Sequence, residues 1–389
     1  MSTNEPPLPT VSTVDHVPLE LPDLPADPLV SIVVTCYNRD GFIRDCLDSA
    51  LGQSHEPFEV LVYDDGSTDG SVEIISQIAD RDPRVTLIAS PERRGHIPAI
   101  NEAYSIASGS IVCLLDSDDL FRRDKVEQVV KAFRRAPRAG IVLHPVTFLA
   151  EDGRTSKGLN PSVTAIPQGW VRDRVLAAGG LLAGCPPTSG ISLRREVAER
   201  LFPLSGDFTH PDVLIPDVLM LGQAATITEL SALYDPLAKY RIHAGNISGV
   251  WRADPETIER DTRRFRTTNE TLRRWLASQP GGGSSALARL EDTLTYSEHA
   301  MTSAIIRGRR LEAWRASRAA AASAEYAMLP VARRAFIRVA PLLPVRVATG
   351  TAWPGSFRRL VSAVRSGIRT WSTKLASLRH RGSRAPTDG

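Results

Sequence analysis

The chain has few cysteines, few aromatic residues and no long apolar run. Its 389 residues include four cysteines, and aromatic residues make up 6% of the sequence. Cys36, Cys46, Cys113 and Cys185 stand too far apart for a zinc motif or a disulfide framework. No segment reaches the roughly 18 uncharged apolar residues of a membrane-spanning helix. We therefore expect reduced thiols, a reducing compartment and no spanning helix.

Charge is distributed unevenly along the chain, although its net value is only +3. Residues 301–389 contain 17 Lys or Arg and 3 Asp or Glu, whereas the first 300 residues contain 30 and 41. The C-terminal end therefore predicts an anionic partner. Residues 1–28 are rich in Pro, Ser and Thr and lack the basic start and apolar core of a signal peptide. We expect them to form a disordered leader.

Apolar strand-like runs alternate with helical periodicity over the first third of the chain. The predicted strands cover residues 29–35, 58–63, 85–89 and 111–115. Helically spaced apolar residues lie between them and continue at 123–135. This alternation predicts an α/β fold with a mainly parallel central sheet and helices on both faces.

Three of these strands end in polar clusters. The clusters are Thr35-Cys36-Tyr37-Asn38, Asp64-Asp65-Gly66-Ser67 and Asp116-Ser117-Asp118-Asp119. The carboxyl ends of parallel strands meet at one edge of a sheet, where ligands bind. Two carboxylates there repel each other unless a cation neutralises them, and Mg²⁺ or Mn²⁺ held with phosphate oxygens fits that chemistry. The alternative is a set of solvated acidic turns.

Together with Asn101-Glu102-Ala103, these clusters resemble the family-2 glycosyltransferases. The resemblance covers residues 29–250 and implies the GT-A fold, a Rossmann-like sheet with helices on both faces. It also implies a UDP- or GDP-sugar donor, Mn²⁺ or Mg²⁺ as cofactor, and inverting transfer to an acceptor hydroxyl. The acceptor would be a glycan or a lipid-linked molecule, such as a precursor of a cell-envelope polysaccharide.

The resemblance implies roles for individual residues. Tyr37 would stack on the base and Asp65 would accept a base N–H. Asp116 would lie toward the ribose or sugar and the metal, and Asp118 would bind the metal. His243 would be a third metal ligand or a phosphate contact. The further expected donor contacts are Thr35, Asn38, Arg93, Arg94, His96 and Arg241.

Inverting transfer needs a general base near the acceptor hydroxyl. In the family this base is an acidic residue just before a helix in the second half of the domain. Asp217 is our first choice and Asp212 the second, with Asp207 as a further candidate. Pro216 stands where the family usually has a Glu, and Asp217 would serve equally well as a helix cap.

The sequence after residue 250 changes to helical character. Residues 251–326 predict a helical hairpin that is interrupted by Pro280-Gly281-Gly282-Gly283-Ser284. Residues 327–389 predict a basic amphipathic tail, because apolar residues recur at helical spacing and arginines lie off that stripe. We expect the tail to bind an anionic membrane surface, with the protein cytoplasmic and peripheral at the inner face. The alternative is a stripe that packs on the catalytic domain or on a second subunit.

Two other function classes stay open. A nucleotide-sugar nucleotidyltransferase usually has a Gly-rich basic loop after its first strand, where this chain has Thr35-Cys36-Tyr37-Asn38. A non-catalytic glycan or membrane adaptor on a degenerate transferase fold fits the missing acid at Pro216, but not the intact Asp116 and Asp118. We expect no nucleic-acid partner, because no binding motif for one is present.

Overall fold

A computed structural model describes residues 17–150, 152–158, 166–180, 185–204, 216–243, 246, 255–279, 287–323, 326 and 331–342. The strands are β1 (Val30–Cys36), β2 (Phe58–Asp64), β3 (Val85–Ala89), β4 (Ile111–Asp116), β5 (Leu120–Phe121), β6 (Ala139–Leu143), β7 (Val146–Ala150), β8 (Thr155–Gly158), β9 (Ile191–Arg194), β10 (Glu229–Ala232) and β11 (Ala238–Ile242). The helices are α1 (Ile43–Leu51), α2 (Ser71–Ala79), α3 (His96–Ser105), α4 (Lys125–Arg135), α5 (Arg172–Ala177), α6 (Arg195–Leu201), α7 (Pro216–Ala224), α8 (Pro255–Ser278), α9 (Leu294–Ile306), α10 (Arg310–Ala322) and α11 (Val331–Val339).

The larger sheet has seven strands in the order β10-β6-β9-β4-β1-β2-β3. Its neighbours pair in parallel except around β9, which runs antiparallel to both β4 and β6. Helices follow β1, β2 and β3 and return the chain to the start of the next strand, as a parallel connection requires. The predicted α/β fold with a mainly parallel sheet is therefore confirmed.

The two faces of this sheet bury alternate residues of the same strands. Val33 of β1 belongs to one apolar cluster, and Val34 belongs to the other. Both side chains are almost completely buried. Because successive side chains of a strand point to opposite faces, a run of β-branched residues fills both layers. Each such side chain contributes about 1.5–3 kcal/mol by burial, which makes the sheet edge a rigid platform.

Strand register brings the three polar exits together. Thr35 of β1 pairs with Tyr63 of β2 on one side and with Asp116 of β4 on the other. Cys36 pairs with Asp64, the last residue of β2. The chain therefore leaves β1, β2 and β4 at neighbouring points of one edge, as the sequence predicted.

A smaller sheet has the order β5-β11-β7-β8. We expected the segment 141–149 to form a strand pair, but β6 belongs to the large sheet and β7 to the small one. The buried His144 and Pro145 separate these two strands. β10 and β11 are the strands that we expected in the later part of the domain. The pairing of β11 with β5 brings the C-terminal end of β11 next to the exit of β4.

The prediction of a disordered leader up to residue 28 is wrong for residues 17–28. Leu19 donates its backbone N–H to the carbonyl of Ile227 at 2.7 Å. The carbonyl of Pro22 accepts from the buried Arg194 guanidinium at 2.8 Å. Leu19 and Leu21 also pack against one of the two apolar clusters of the sheet. Leucines spaced between prolines thus form an extended strap, which the composition of the segment does not reveal.

The C-terminal part is helical, as expected, but it contains more helices than the two of a hairpin. α9 packs on α8, and α10 and α11 extend the bundle. Ile337 of α11 is fully buried, and the hydroxyl of Ser317 of α10 donates to its carbonyl at 2.8 Å. Residues 331–342 were expected at a membrane, and the structure instead packs them on α9 and α10. The rest of the predicted tail lies outside the described residues. None of the described helices is long and apolar enough to cross a membrane.

Candidate active site

Asn38 joins the exits of β1 and β2. Its φ of 52° is left-handed, a conformation that Asn tolerates better than most residues. The Asn38 N–H donates to Ser67 Oγ, and its Oδ1 accepts from the Thr68 N–H, both at 2.8 Å. Ser67 Oγ in turn donates to Asp64 Oδ2 at 2.6 Å. The Asn38 side chain, which we expected to contact the donor, therefore holds the exits of β1 and β2 together.

Asp65 is buried and has both oxygens aimed at backbone amides. Oδ1 accepts from the Arg94 N–H at 2.7 Å, and Oδ2 accepts from the Gly95 N–H at 2.8 Å. Burial raises the pKa of this carboxyl group above its usual value. The two hydrogen bonds lower the pKa and partly offset that rise. The structure thus brings the backbone of Arg94 to Asp65. The Arg94 guanidinium is half exposed and pairs with Glu102 at 3.2 Å.

The ring of Tyr37, the predicted stacking surface, is covered by Arg93. The Arg93 guanidinium lies 4.3 Å from the centre of the ring, within the range of a cation–π contact. Tyr37 itself is half-buried beside the polar edge. In this structure a guanidinium therefore covers the ring face that was predicted to stack on a base.

Asp116 lies in a crowded acidic environment. Burial, followed by the charges of Asp119, Asp118 and Asp217, raises the pKa of Asp116 well above its usual value. The Nε2 atom of His96 is 4.0 Å from Asp116 Oδ1. The expected residues Thr35, Asp116 and His96 therefore come together, and the acidic charges among them favour a bound cation.

Asp118 is the point at which distant segments meet. Its Oδ2 accepts from Arg39 Nε at 3.1 Å and lies 3.0 Å from His243 Nε2. The ring of His243 packs against Phe42, with 4.6 Å between ring centres. Arg39 was missed by the sequence analysis, because a single Arg after a strand exit carries no distinguishing signal.

Asp118 and His243 offer a divalent cation one oxygen and one nitrogen ligand. Among the residues that the structure describes, no three His, Cys, Asp or Glu side chains form a group that could hold a metal ion. A cation at Asp118 would therefore take most of its ligands from phosphate and water. This arrangement suits Mg²⁺ and Mn²⁺, which commonly bind one or two carboxylates together with substrate phosphates.

Arg241, at the end of β11, closes over the same site. Its Nε donates to the carbonyl of Asp118 at 3.0 Å, and its Nη2 reaches Asp45 at 3.2 Å. Asn246 supports this end of the strand, since its Nδ2 donates to the Arg241 carbonyl and its Oδ1 accepts from the His243 N–H. The expected residues Arg241, in β11, and His243, one residue past its end, are thus both in contact with Asp118.

Asp217 lies in the first turn of α7 and is half-buried. Burial raises its pKa to about 6. The charge of Asp217 also contributes to the raised pKa of Asp116, so the two carboxylates share one site. A carboxyl group with a pKa near neutrality is suited to exchange protons with a hydroxyl. Asp212 and Asp207 lie outside the described residues.

Three buried polar residues beneath the site received no role from the sequence. Asp119, Lys125 and Ser189 are fully buried. Burial and the charge of Asp118 raise the pKa of Asp119 to about 8, and burial lowers the pKa of Lys125 to about 8. Nothing in the local sequence marks Ser189, which lies between a Pro-rich loop and β9.

The comparison with protein families agrees with this geometry. Residues 31–202 match the model of the glycosyl transferase family 2. The matched region, less than half of the 389 residues, is similar to a family-2 glycosyltransferase domain. The family predicted from the three strand exits is therefore confirmed.

Individual relatives match only part of their own length. An uncharacterised glycosyltransferase of Nostoc sp. is 29% identical over 221 residues, which cover 56% of this chain and 66% of that protein. The chondroitin synthase of Pasteurella multocida is 34% identical over 154 residues, or 40% of this chain and 15% of that enzyme. The alignments thus span less than two thirds of these relatives.

Among solved structures, S. aureus TarS residues 1–349 in complex with UDP-GlcNAc superposes with a TM-score of 0.50. The superposition covers 85% of this chain and 91% of that one, at 16% sequence identity. The similarity at this level of identity shows a shared fold, and the expected GT-A fold is confirmed.

Proposed function

We propose that this protein transfers a glycosyl group from a nucleoside-diphosphate sugar to a hydroxyl group of a glycan or lipid-linked acceptor. The observation that carries the proposal is the convergence on Asp118 of Arg39, from the connection after β1, with Arg241 and His243 at the C-terminal end of β11. Two arginines and a histidine around an acidic pair form a site for a diphosphate and its cation. The family match supports this function over a nucleotidyltransferase or an adaptor.

The donor would lie along the edge from β2 to β4. Tyr37 and Asp65, at the exits of β1 and β2, would bind the base, with Arg93 over the ring of Tyr37. Asp116 would face the ribose or the sugar. That S. aureus TarS was solved with UDP-GlcNAc supports a nucleotide-sugar donor for this shared fold.

Asp118 and His243 are the residues that would hold Mn²⁺ or Mg²⁺, with phosphate and water as the other ligands. The divalent ion would supply Lewis-acid stabilisation to the departing diphosphate. Arg241 would add a fixed positive charge on the same side. The Asp118 carboxylate already pairs with Arg39, so it lies in place before any ligand arrives.

Asp217 would act as the general base, with Asp212 as the second candidate. A base must be deprotonated when the acceptor hydroxyl attacks the anomeric carbon. The pKa of Asp217 of about 6 keeps most of it ionised at neutral pH and close enough to neutrality to accept a proton. Attack from the face opposite the diphosphate would invert the anomeric centre.

A donor screen tests the proposal. The wild-type protein is mixed with Mn²⁺ and a panel of UDP- and GDP-sugars, and its melting temperature is measured with each. A donor that binds the native state raises that temperature. Hydrolysis or transfer is then followed with the stabilising donor. Asp118→Ala should abolish both effects, and Asp152→Ala, on the exposed hairpin, should preserve both. A panel without any stabilising or reacting donor would contradict the proposal.

We further propose that the C-terminal region attaches the domain to an anionic membrane surface. The excess of basic residues after position 300 supports this. On α10, Leu311 and Trp314 are exposed at 66% and 45%, and the Arg318 guanidinium lies 5.6 Å from the Trp314 ring. An exposed Trp with neighbouring arginines suits the interface between lipid headgroups and acyl chains.

Flotation with vesicles containing phosphatidylglycerol tests this attachment. Removal of residues 343–389, which leaves the packed α11 in place, should weaken flotation, as should Trp314→Ala. Tyr234→Ala is the control, because Tyr234 is exposed at 68% outside the helical bundle. Undiminished flotation of both altered proteins would contradict the assignment.

A further inference from the structure

A buried polar group joins four chain segments below the candidate site. Asp119 follows β4, Lys125 begins α4, Ser189 lies in the 3-10 turn Thr188–Gly190, and Arg241 is the next-to-last residue of β11. Asp119, Lys125 and Ser189 have no exposed surface, so they are not placed to touch a donor in solvent. Burying polar groups costs free energy unless they are hydrogen-bonded, so their partners reveal what they hold.

Asp119 uses both carboxylate oxygens. Oδ1 accepts from the backbone N–H of Arg241 at 2.9 Å, and Oδ2 accepts from Ser189 Oγ at 2.6 Å. The first bond fixes the end of β11, which carries the two residues in contact with Asp118. The second bond reaches a turn that lies 70 residues further along the chain.

Ser189 uses its hydroxyl in both directions. While its Oγ–H donates to Asp119, the same oxygen accepts from the backbone N–H of Asp116 at 3.1 Å. Its carbonyl accepts from Lys125 Nζ at 3.1 Å, and that ammonium group lies 3.7 Å from the centre of the Phe121 ring. Ser189 is therefore tied to α4 on one side and to the acidic exit of β4 on the other.

We infer that Asp119 and Ser189 are positioning residues for glycosyl transfer, which hold the acidic exit of β4 and the end of β11 at a fixed separation. The inference rests on the proposed transferase function. Asp116 and Asp118 come from one of these segments and Arg241 and His243 from the other. Ser189 bonds both the Asp116 N–H and the Asp119 carboxylate and so braces the exit of β4, while Asp119 joins this exit to the backbone of Arg241.

The physical consequence concerns geometry at the reacting atoms. Groups that grip a diphosphate and its sugar must keep their mutual distance within a fraction of an ångström. A displacement of about 1 Å can lower a rate about 10²-fold. Without the Ser189 hydroxyl, the Asp119 carboxylate and the Asp116 amide each lose a buried partner, and both segments gain freedom to shift.

Ser189→Ala tests the link, with Ser192→Ala as a matched control. Ser192 is also fully buried and lies three residues away on β9, next to Cys113 and not to the carboxylates of the site. Both changes remove one buried oxygen. We expect Ser189→Ala to lower kcat/KM for the donor at least tenfold and to weaken binding of UDP or GDP with Mn²⁺ in calorimetry. Ser192→Ala should leave both quantities within about twofold.

Partial unfolding of the variant would lower the concentration of active molecules, but it would change neither KM nor the dissociation constant of the nucleotide. A weaker dissociation constant for UDP or GDP therefore distinguishes a displaced site from a loss of folded protein. Ser189→Thr, which keeps the hydroxyl, should restore most of kcat/KM. If the added methyl group prevents folding, Ser189→Cys supplies a weaker donor of similar shape and should give an intermediate value.

A double-mutant cycle identifies the partner. If Ser189 acts through Asp119, the combination of Ser189→Ala with Asp119→Asn should cost less than the product of the two single losses. Strictly multiplicative losses would overturn the link, and so would equal losses in Ser189→Ala and Ser192→Ala. A wild-type protein that binds no donor would contradict the transferase proposal itself, whereas an active wild type with an unaffected Ser189→Ala variant would contradict only this inference.

Discussion

The two halves of the candidate site are built differently. The donor half consists of the exits of β1, β2 and β4, which neighbouring strands place side by side through regular register. The half opposite consists of Asp217 on α7 and the end of β11, which reach Asp116 and Asp118 from about 100 residues or more further along the chain. A short parallel motif is thus enough to assemble the half of the site where we propose that the donor and its cation bind. The partner groups depend on long-range hydrogen bonds.

The largest effect is expected in the donor half. Asp118→Ala should lower transfer about 10³-fold, because the variant loses the carboxylate that pairs with Arg39 and His243 and would hold the cation. Initial rates and calorimetric binding of UDP or GDP with Mn²⁺ measure the change. Donor binding should fall together with the rate. Tight binding with a lost rate would show that Asp118 belongs to the other half of the site.

Asp217→Asn should separate the two halves. Transfer should fall about 10²-fold, since the amide cannot accept a proton, while donor affinity should remain within about threefold. In the wild-type protein, kcat should rise as pH increases through about 6, because the pKa of Asp217 lies there and the base must be ionised. This rise should be absent from the residual activity of the variant. An unchanged transfer rate would move the base to another residue, with Asp212 next.

The same substitution predicts a pH dependence of stability. The pKa of Asp217 is raised to about 6 from the ordinary 3.8, so the native state binds this proton more tightly than the unfolded chain. The contribution of this group to the free energy of unfolding therefore falls as pH rises from about 4 to 6 and stays constant above. The Asp217→Asn variant has no carboxyl group to titrate at this position, so its free energy of unfolding does not show this decrease. Its melting temperature should exceed that of the wild type at pH 7.5, by an amount equivalent to about 3 kcal/mol, and match it near pH 4.

The smallest effect is expected for Arg94→Ala. Only the backbone N–H of Arg94 contacts Asp65, and its guanidinium forms a half-exposed ion pair with Glu102. Exposed pairs of this kind contribute less than about 1 kcal/mol. Donor affinity should change less than threefold, whereas Arg93→Ala should weaken it more, because Arg93 covers the ring of Tyr37. Equal losses would show that both side chains reach the donor.

Much of the donor half could be predicted from the sequence. Strand exits at Thr35, Asp65 and Asp116 lie directly after apolar runs, and parallel pairing leaves little choice about where they go. The roles within the cluster were harder to predict. Asn38 and Arg94 have the expected positions, but their hydrogen bonds serve the scaffold, because side-chain direction depends on partners that only the folded chain supplies.

The helical region shows the limit of periodicity. Helical spacing after residue 250 predicted helices correctly, yet α11 has an apolar face that fits a membrane and a protein core equally well. Ile337 lies against α10 because the small residues Ser317 and Ala320 of that helix leave room for it. Residues 17–28 illustrate the converse, since a Pro-rich segment packs on the sheet through a few leucines.

What the sequence by itself determined is the alternation of strands and helices, the family, and the convergence of acidic exits at one edge of the sheet. These follow from local apolar pattern and from the geometry of parallel strands. Only the tertiary structure decided which distant residues meet those exits: Arg39 and His243 at Asp118, and Ser189 and Arg241 at Asp119. The reason is that a hydrogen bond between segments 70 to 125 residues apart cannot be predicted from the sequence of either segment alone. The apolar pattern of a strand, in contrast, is contained in the residues of that strand.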